Sequence, residues 1–130
     1  MARVLAVLGY HGTSEKVAQE ILKSGRRAGN RFIVSENESD WLGDGVYFFQ
    51  DAPYRAQEWP AVRLPTPKRV NNPVVLVARL HLTGCLDLLD IEAAKSIARW
   101  YPGLKADYRR AGLRLPRNKG GRRLLDRTLI

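Results

Sequence analysis

Cysteine is almost missing from this chain. Cys85 is the only one in 130 residues, so no internal disulfide can form and no cysteine cluster can hold a metal. No metal site is expected. Cys85 itself, in Leu-Thr-Gly-Cys-Leu-Asp, reads as a small buried apolar residue. Long apolar runs are missing too. Nothing approaches the roughly 20 residues that a membrane helix needs. The N-terminal run Val4 to Leu8 is shorter than a signal-peptide core and lacks a cleavage-like site. A cytoplasmic protein with no membrane partner is expected. There is no internal repeat and no low-complexity stretch. The length fits a single domain over residues 1–130, large enough for a hydrophobic core but not for two.

Acidic residues are scarce at one end only. The net charge is +9, yet residues 1–98 hold twelve Lys or Arg against eleven Asp or Glu. Residues 99–130 hold ten Lys or Arg against Asp107 and Asp126, a net of +8. Such asymmetry favours an acidic partner, either a polynucleotide or an acidic protein, and it equally suits a solvated face that aids solubility.

The coarse elements follow from pattern. Arg3 to Leu8 is short and β-branched, a buried strand. Thr13 or Ser14 can cap the next helix, with Glu15 in its first turn and Val17, Ala18, Ile21 and Leu22 on one face. Gly25 stands where a left-handed C-terminal cap belongs. Residues 26–30 read as a basic loop, Arg31 to Ser35 as a short strand, and Glu36 to Asp40 as an exposed polar run. Asp51 to Trp59 suits a short helix with Pro53 in its first turn. Pro60 to Pro73, with four prolines, reads as an extended loop. Val74 to Leu82 is a strand with Val74, Leu76, Ala78, Leu80 and Leu82 on one face and Val75, Val77, Arg79 and His81 on the other. His81 reads as a surface residue. Asp90 can cap a helix that stops at Tyr101-Pro102-Gly103, and a second helix runs from Leu104 to Ala111 and ends at Gly112. The segment 98–130 is then a basic helical stretch and tail, jointed at Gly120-Gly121.

Two short segments carry more information than these elements. Trp41 to Phe49 reads Trp-Leu-Gly-Asp-Gly-Val-Tyr-Phe-Phe, a glycine-opened turn feeding a strand at Val46 to Phe49. Taken alone it is a hairpin whose Tyr47 fills a core. Upstream, Tyr10-His11-Gly12-Thr13 closes a strand and precedes a capped helix. A His-Gly-Thr, then a helix, then Gly-x-Gly-x-Tyr-Phe resembles the ADP-ribosyltransferase superfamily. The branch is the bacterial toxin-type one related to poly(ADP-ribose) polymerases and diphtheria toxin. The resemblance covers Leu5 to Trp59, with a weaker match through the strand ending near Leu82. It implies an α+β fold, a split sheet around an NAD cleft, incomplete at the C-terminus because the last strands have no counterpart here.

The same resemblance implies an NAD-dependent mono-ADP-ribosyltransferase, toxin-like, that moves ADP-ribose from NAD to a macromolecular acceptor. NAD is the co-substrate. The acceptor or partner is a protein, a nucleic acid or an acidic protein such as an antitoxin. Such chemistry breaks the bond between nicotinamide and ribose through a transition state with positive character on the sugar, so the site must hold, pack and align its substrate. The catalytic residues implied are His11 and Tyr47. The cofactor-binding set is His11 on a ribose hydroxyl, the Gly12 main chain on the carboxamide, Tyr47 stacked on the nicotinamide ring, and hydroxyl contacts from Thr13 or Ser35.

The family's third signature residue, a glutamate on a later strand, has no clear place. Glu92 comes too early in the order of elements, and Asp126 lies in a basic segment without strand alternation. Three readings fit: a fragment of a longer enzyme, an unorthodox third residue, or a binding module without catalysis. The rival class is a non-enzymatic basic nucleic-acid-binding module, resting on the C-terminal arginines interleaved with Trp100, Tyr101 and Tyr108.

Overall fold

The nine residues of β1, Leu5–Thr13, form the middle strand of a three-stranded antiparallel sheet in the order β2-β1-β3. The computed structural model describes residues 4–25, 32–37, 40, 42–64, 66–119 and 122–129. The fold is α+β, and the chain separates into two compact units. The first is Met1–Ile33 with Val46–Gly84; the second is Val34–Gly45 with Cys85–Ile130.

In the first unit β1 runs past Leu8, where the apolar pattern ends, and takes in Tyr10-His11-Gly12-Thr13. The partner strand explains the extension. β3, Val74–Leu82, pairs with every residue of β1, from Leu5 opposite Leu82 to Thr13 opposite Val74. Residues paired across an antiparallel ladder share a face. Val7, Gly9, His11 and Thr13 therefore lie with Leu80, Ala78, Leu76 and Val74, and Leu8, Tyr10 and Gly12 lie with Arg79, Val77 and Val75. The alternation expected of Val74 to Leu82 holds, with Val77, Arg79 and His81 exposed.

Helix α1, Glu15–Lys23, keeps the punctuation written in its sequence. The Ser14 hydroxyl accepts from the Val17 amide at 3.3 Å, Glu15 sits in the first turn, and Gly25 has φ +53°. Ala18 and Ile21 are buried while Leu22 is exposed. Strand β2 is only Phe49–Gln50, opposite Tyr10 and Gly9. Val46 to Phe48 thus stay out of the ladder. The Tyr47 carbonyl bonds to a side chain there, as described below, and does not take up strand pairing with β1. Helix α2, Pro53–Glu58, starts with Pro53 as expected and runs into one turn of π-helix at Trp59–Arg63. A 3-10 turn follows at Thr66–Lys68, so the proline-rich segment is coiled where an extended loop was expected. Prolines tolerate first-turn positions, and Pro60 and Pro67 each sit in such a turn.

In the second unit α3 is one helix, Ile91–Arg110, with Pro102 inside it. The sequence suggested two helices broken at that proline. Ala93, Ile97, Tyr101, Leu104 and Tyr108 follow one another at helical spacing straight across Pro102, and with Ser96 these are the buried and half-buried positions. Packing of that stripe keeps the helix whole. Ala98, whose carbonyl loses its bond to residue 102, is exposed and open to water. The Asp90 carboxylate caps the start by accepting from the Glu92 amide at 3.2 Å. At the other end Gly112, φ +68°, closes a Schellman motif in which Leu113 N–H donates to the Tyr108 carbonyl at 2.9 Å and Gly112 N–H to Arg109 at 3.1 Å. Cys85 is exposed, not buried. It belongs to the loop before α3, where Leu88, Leu89 and Asp90 are also exposed.

The basic tail is ordered into a hairpin, β4 Asn118–Lys119 and β5 Arg122–Arg123, followed by α4, Leu124–Leu129. Gly120 and Gly121, like the loop at 26–30, Arg31 and Trp41, lie outside the described residues. Asn118 and Asp126 tie the hairpin to the helix. The Asn118 side-chain oxygen accepts from the Leu125 and Asp126 amides at 3.1 and 3.3 Å, and its amide nitrogen donates to Asp126 at 2.8 Å. Arg123 donates to the other carboxylate oxygen at 2.8 Å. The Asn118 bond, with Arg123 behind it, holds the Asp126 carboxyl below its ordinary value of 3.8, against a desolvation that acts the opposite way. A depressed carboxyl stabilises the folded form above the unfolded pKa and loses that effect as pH falls through the folded one. NMR contacts between Asn118 and Leu125 should therefore be steady at neutral pH and fade below about pH 3.8. In Asp126→Asn they should be weaker throughout and insensitive to acid.

Candidate active site

His11 is half-buried on the middle strand, and its surroundings are unusually specific. Its Nδ1 lies 2.8 Å from the main-chain oxygen of Tyr47, 36 residues away in the chain. A carbonyl oxygen only accepts, so Nδ1 carries the proton, and in the neutral tautomer that has this proton Nε2 is an acceptor. Two phenylalanines fix the ring plane. Phe32 meets the imidazole edge-on, with centroids 5.1 Å apart and planes at 85°, and Phe48 lies tilted against it at 5.5 Å. Phe32 and Phe48 also touch one another, at 5.3 Å. The result is a positioned imidazole with one nitrogen committed and the other available.

Glycine makes this cluster possible. A Cβ on Gly9 would stand 2.6 Å from Leu80 Cδ1 and 2.9 Å from Phe48 Cβ, so the missing side chain is the space into which Phe48 packs beside His11. Gly12 is bare for another reason. Its Cβ would collide with the Ala56 carbonyl, 2.7 Å from the carbon, and stand 3.1 Å from Pro60 Cδ. Helix α2 thus lies directly on the Gly12 face, where Ala56 is fully buried and Phe49 packs against Trp59 at 5.7 Å. The close approach that glycine permits here is used by a helix. The strand edge is a separate matter. β2 pairs with Gly9 and Tyr10, so among the described residues the ladder along His11–Thr13 continues on the β3 side alone.

Tyr47 reaches His11 through its main chain. Thr13 is buried at the end of β1, opposite Val74. Ser35 belongs to the second unit and is engaged in its loop. Its hydroxyl donates to Asp40 Oδ2 at 2.6 Å and accepts from the Asn37 side chain at 2.9 Å. The same carboxylate oxygen accepts from the Asn37 amide at 2.9 Å, and Ser35 and Gly45 exchange main-chain bonds of 2.7 and 3.1 Å. Asn37 and Asp40 are therefore buried, where the sequence reads as an exposed polar run. Burial costs little because each polar group has a partner. The strand expected at Arg31 to Ser35 is reduced to this single bridge with Gly45.

His11, Gly12, Thr13 and Tyr47 thus share one unit and Ser35 lies in the other. Phe32 and Phe48, which orient the imidazole, were not singled out by sequence. For Phe48 a signal existed, since the strand period lets only one of two neighbouring aromatics share the face of His11. Ser35, Asn37 and Asp40 likewise carry the spacing of side chains that bond their own backbone in turns. Among the described residues no group of three His, Cys, Asp or Glu could hold a metal, and no helix is long and apolar enough to cross a membrane.

No family model matches the chain, and no solved structure matches it. Over 50 residues it is 36% identical to an uncharacterized protein of Methanocaldococcus jannaschii, a match that takes in 38% of this chain and 21% of that protein. The similar stretch is about a fifth of the relative's length.

Proposed function

We propose that the chain is a toxin-like mono-ADP-ribosyltransferase domain that binds NAD beside His11 and transfers ADP-ribose to a macromolecular acceptor. The observation that carries this reading is the bond between His11 Nδ1 and the Tyr47 carbonyl, which joins the His-Gly-Thr segment to the Tyr47-Phe48 end of the Gly-x-Gly-x-Tyr-Phe segment within the first unit. On this reading Nε2 of His11 accepts from a ribose hydroxyl, and the β1 edge at Gly12 offers main-chain groups to the carboxamide. The ring of Tyr47 stacks on the nicotinamide. In the reaction the bond from ribose C1′ to the nicotinamide nitrogen breaks and its electron pair leaves with nicotinamide. An acceptor nucleophile forms the new bond to C1′ and gives up its proton. The three-stranded sheet is then one half of a split sheet around the NAD cleft, and the setting is cytoplasmic.

Calorimetry with NAD, on the chain and on two variants, tests the proposal. Tyr47→Ala retains the carbonyl that holds His11, so its effect isolates the ring, and affinity should fall by about 0.5–1.5 kcal/mol, the scale of one aromatic pair. His11→Ala removes a hydrogen bond and should cost about 1–3 kcal/mol. Release of nicotinamide from NAD separates turnover from binding alone. A chain that ignores NAD, or binds it equally in both variants, sinks the reading. If that chain still holds nucleic acid in a salt-dependent way, the non-enzymatic binding module takes its place.

A further inference from the structure

The solvent side of α3 carries charge of one sign. At 100° per residue, Ala93, Ile97, Tyr101, Leu104 and Tyr108 occupy one face, and with Ser96 on its flank these are the buried and half-buried positions of the helix. Lys95, Arg99, Lys105, Arg109 and Arg110 fall within the opposite arc, and all five are exposed. Acidic compensation is local and small. Glu92 pairs with Lys95 at 2.9 Å and Asp107 pairs with Arg110, both between exposed side chains. Arg99 donates to Ser96 at 2.9 Å, a neutral partner that leaves its charge uncancelled. At a rise of 1.5 Å per residue, Arg99, Lys105 and Arg109 stand about 6–9 Å apart along the axis, close to the spacing of successive phosphates on an extended strand. Arg114, Arg117 and Lys119, also exposed, prolong the positive charge beyond the helix.

One aromatic side chain stands on the flank of this helix beyond Arg99. Trp100, 47% exposed, lies about 100° round the axis from Arg99, between the basic arc and the apolar stripe. Near one turn further, Gly103 has nothing within 4 Å of where its Cβ would stand, so the helix surface at that position is open. Cations in a row with a flat ring at the margin are what a single strand needs, phosphates along the charges and a base on the ring. Eight of the ten cations in residues 99–130 are arginine, the residue whose planar fork suits phosphate.

We propose that the basic face of α3, with Trp100 at its margin, is a docking surface for single-stranded nucleic acid. It goes beyond the NAD reading and does not depend on it. The test is fluorescence anisotropy of a labelled mixed-sequence single-stranded oligonucleotide, without NAD, over a series of salt concentrations. The triple variant Arg99→Gln, Lys105→Gln, Arg109→Gln should bind more weakly and flatten the log–log salt slope by about 2, at about 0.7 per lost phosphate contact. Lys16→Gln, Lys23→Gln, Arg63→Gln removes as much charge from the first unit and should leave binding as it was. Trp100→Ala should weaken the single strand and spare a duplex of the same sequence. His11→Ala should bind the oligonucleotide normally, which separates this surface from the NAD site. Equal loss in the two triple variants would assign the effect to net charge and overturn the proposal, as would tighter binding of polyglutamate, which would make the surface one for an acidic protein.

Discussion

Gly12→Ala should destabilise the first unit by about 3 kcal/mol or more and release α2 from the sheet. The added Cβ would overlap the Ala56 carbonyl oxygen and stand 2.7 Å from its carbon. Neither atom can turn aside as the end of a flexible side chain would, because both are main chain of α2, and Ala56 is fully buried against the strand. Relief requires moving the helix, which uncovers the Phe49–Trp59 contact as well. Gly45→Ala is the internal comparison. Nothing lies within 4 Å of a Cβ there, so its effect should stay within about 0.5 kcal/mol. Urea unfolding followed by circular dichroism measures both. Equal midpoints would show that α2 does not sit on β1 as described. The contrast also divides the two motif glycines of the Trp41 to Phe49 stretch, since Gly43 has φ +87° and requires glycine where Gly45 does not.

Asp40→Ala should cost about 2–4 kcal/mol, from a charge-assisted bond lost and a buried amide left without a partner. Asp40 is 4% exposed, and one of its oxygens accepts from both the Ser35 hydroxyl and the Asn37 amide. Asn37 is buried with it, so water does not readily replace the lost acceptor. Ser35→Ala breaks two bonds of the same network and should cost less, about 1–2 kcal/mol, because the Asp40 carboxylate keeps its bond from the Asn37 amide. NAD affinity gives the second readout. If Ser35 serves its loop, the Ser35→Ala variant loses stability and keeps its affinity. An affinity loss at unchanged stability would return Ser35 to the cofactor contacts.

Much of the local structure is legible in the sequence. The Ser14 cap, the left-handed Gly25 and the first-turn Pro53 each act within a few residues, and each marks an element end within a residue or two. The nine residues of β3 followed from strict alternation. Pro102 misled for the complementary reason. A proline reports a local cost, while the stripe from Ala93 to Tyr108 is secured by contacts elsewhere in the second unit. The candidate site was half legible. His11 and Tyr47 stand in quotable motifs, but composition does not say that a histidine will bond a tyrosine's main chain.

By itself the sequence determined an α+β chain with well-capped helices, one long alternating strand and positive charge gathered in its last quarter, since these depend on neighbours a few residues apart. Tertiary structure decided that His11 lies inside a strand, that Phe32 and Phe48 orient it, that α2 occupies the space bared by Gly12, and that Asn37 and Asp40 are buried. Each of those rests on groups distant in sequence or on which face a side chain takes, and packing settles that only once the strands have found their register.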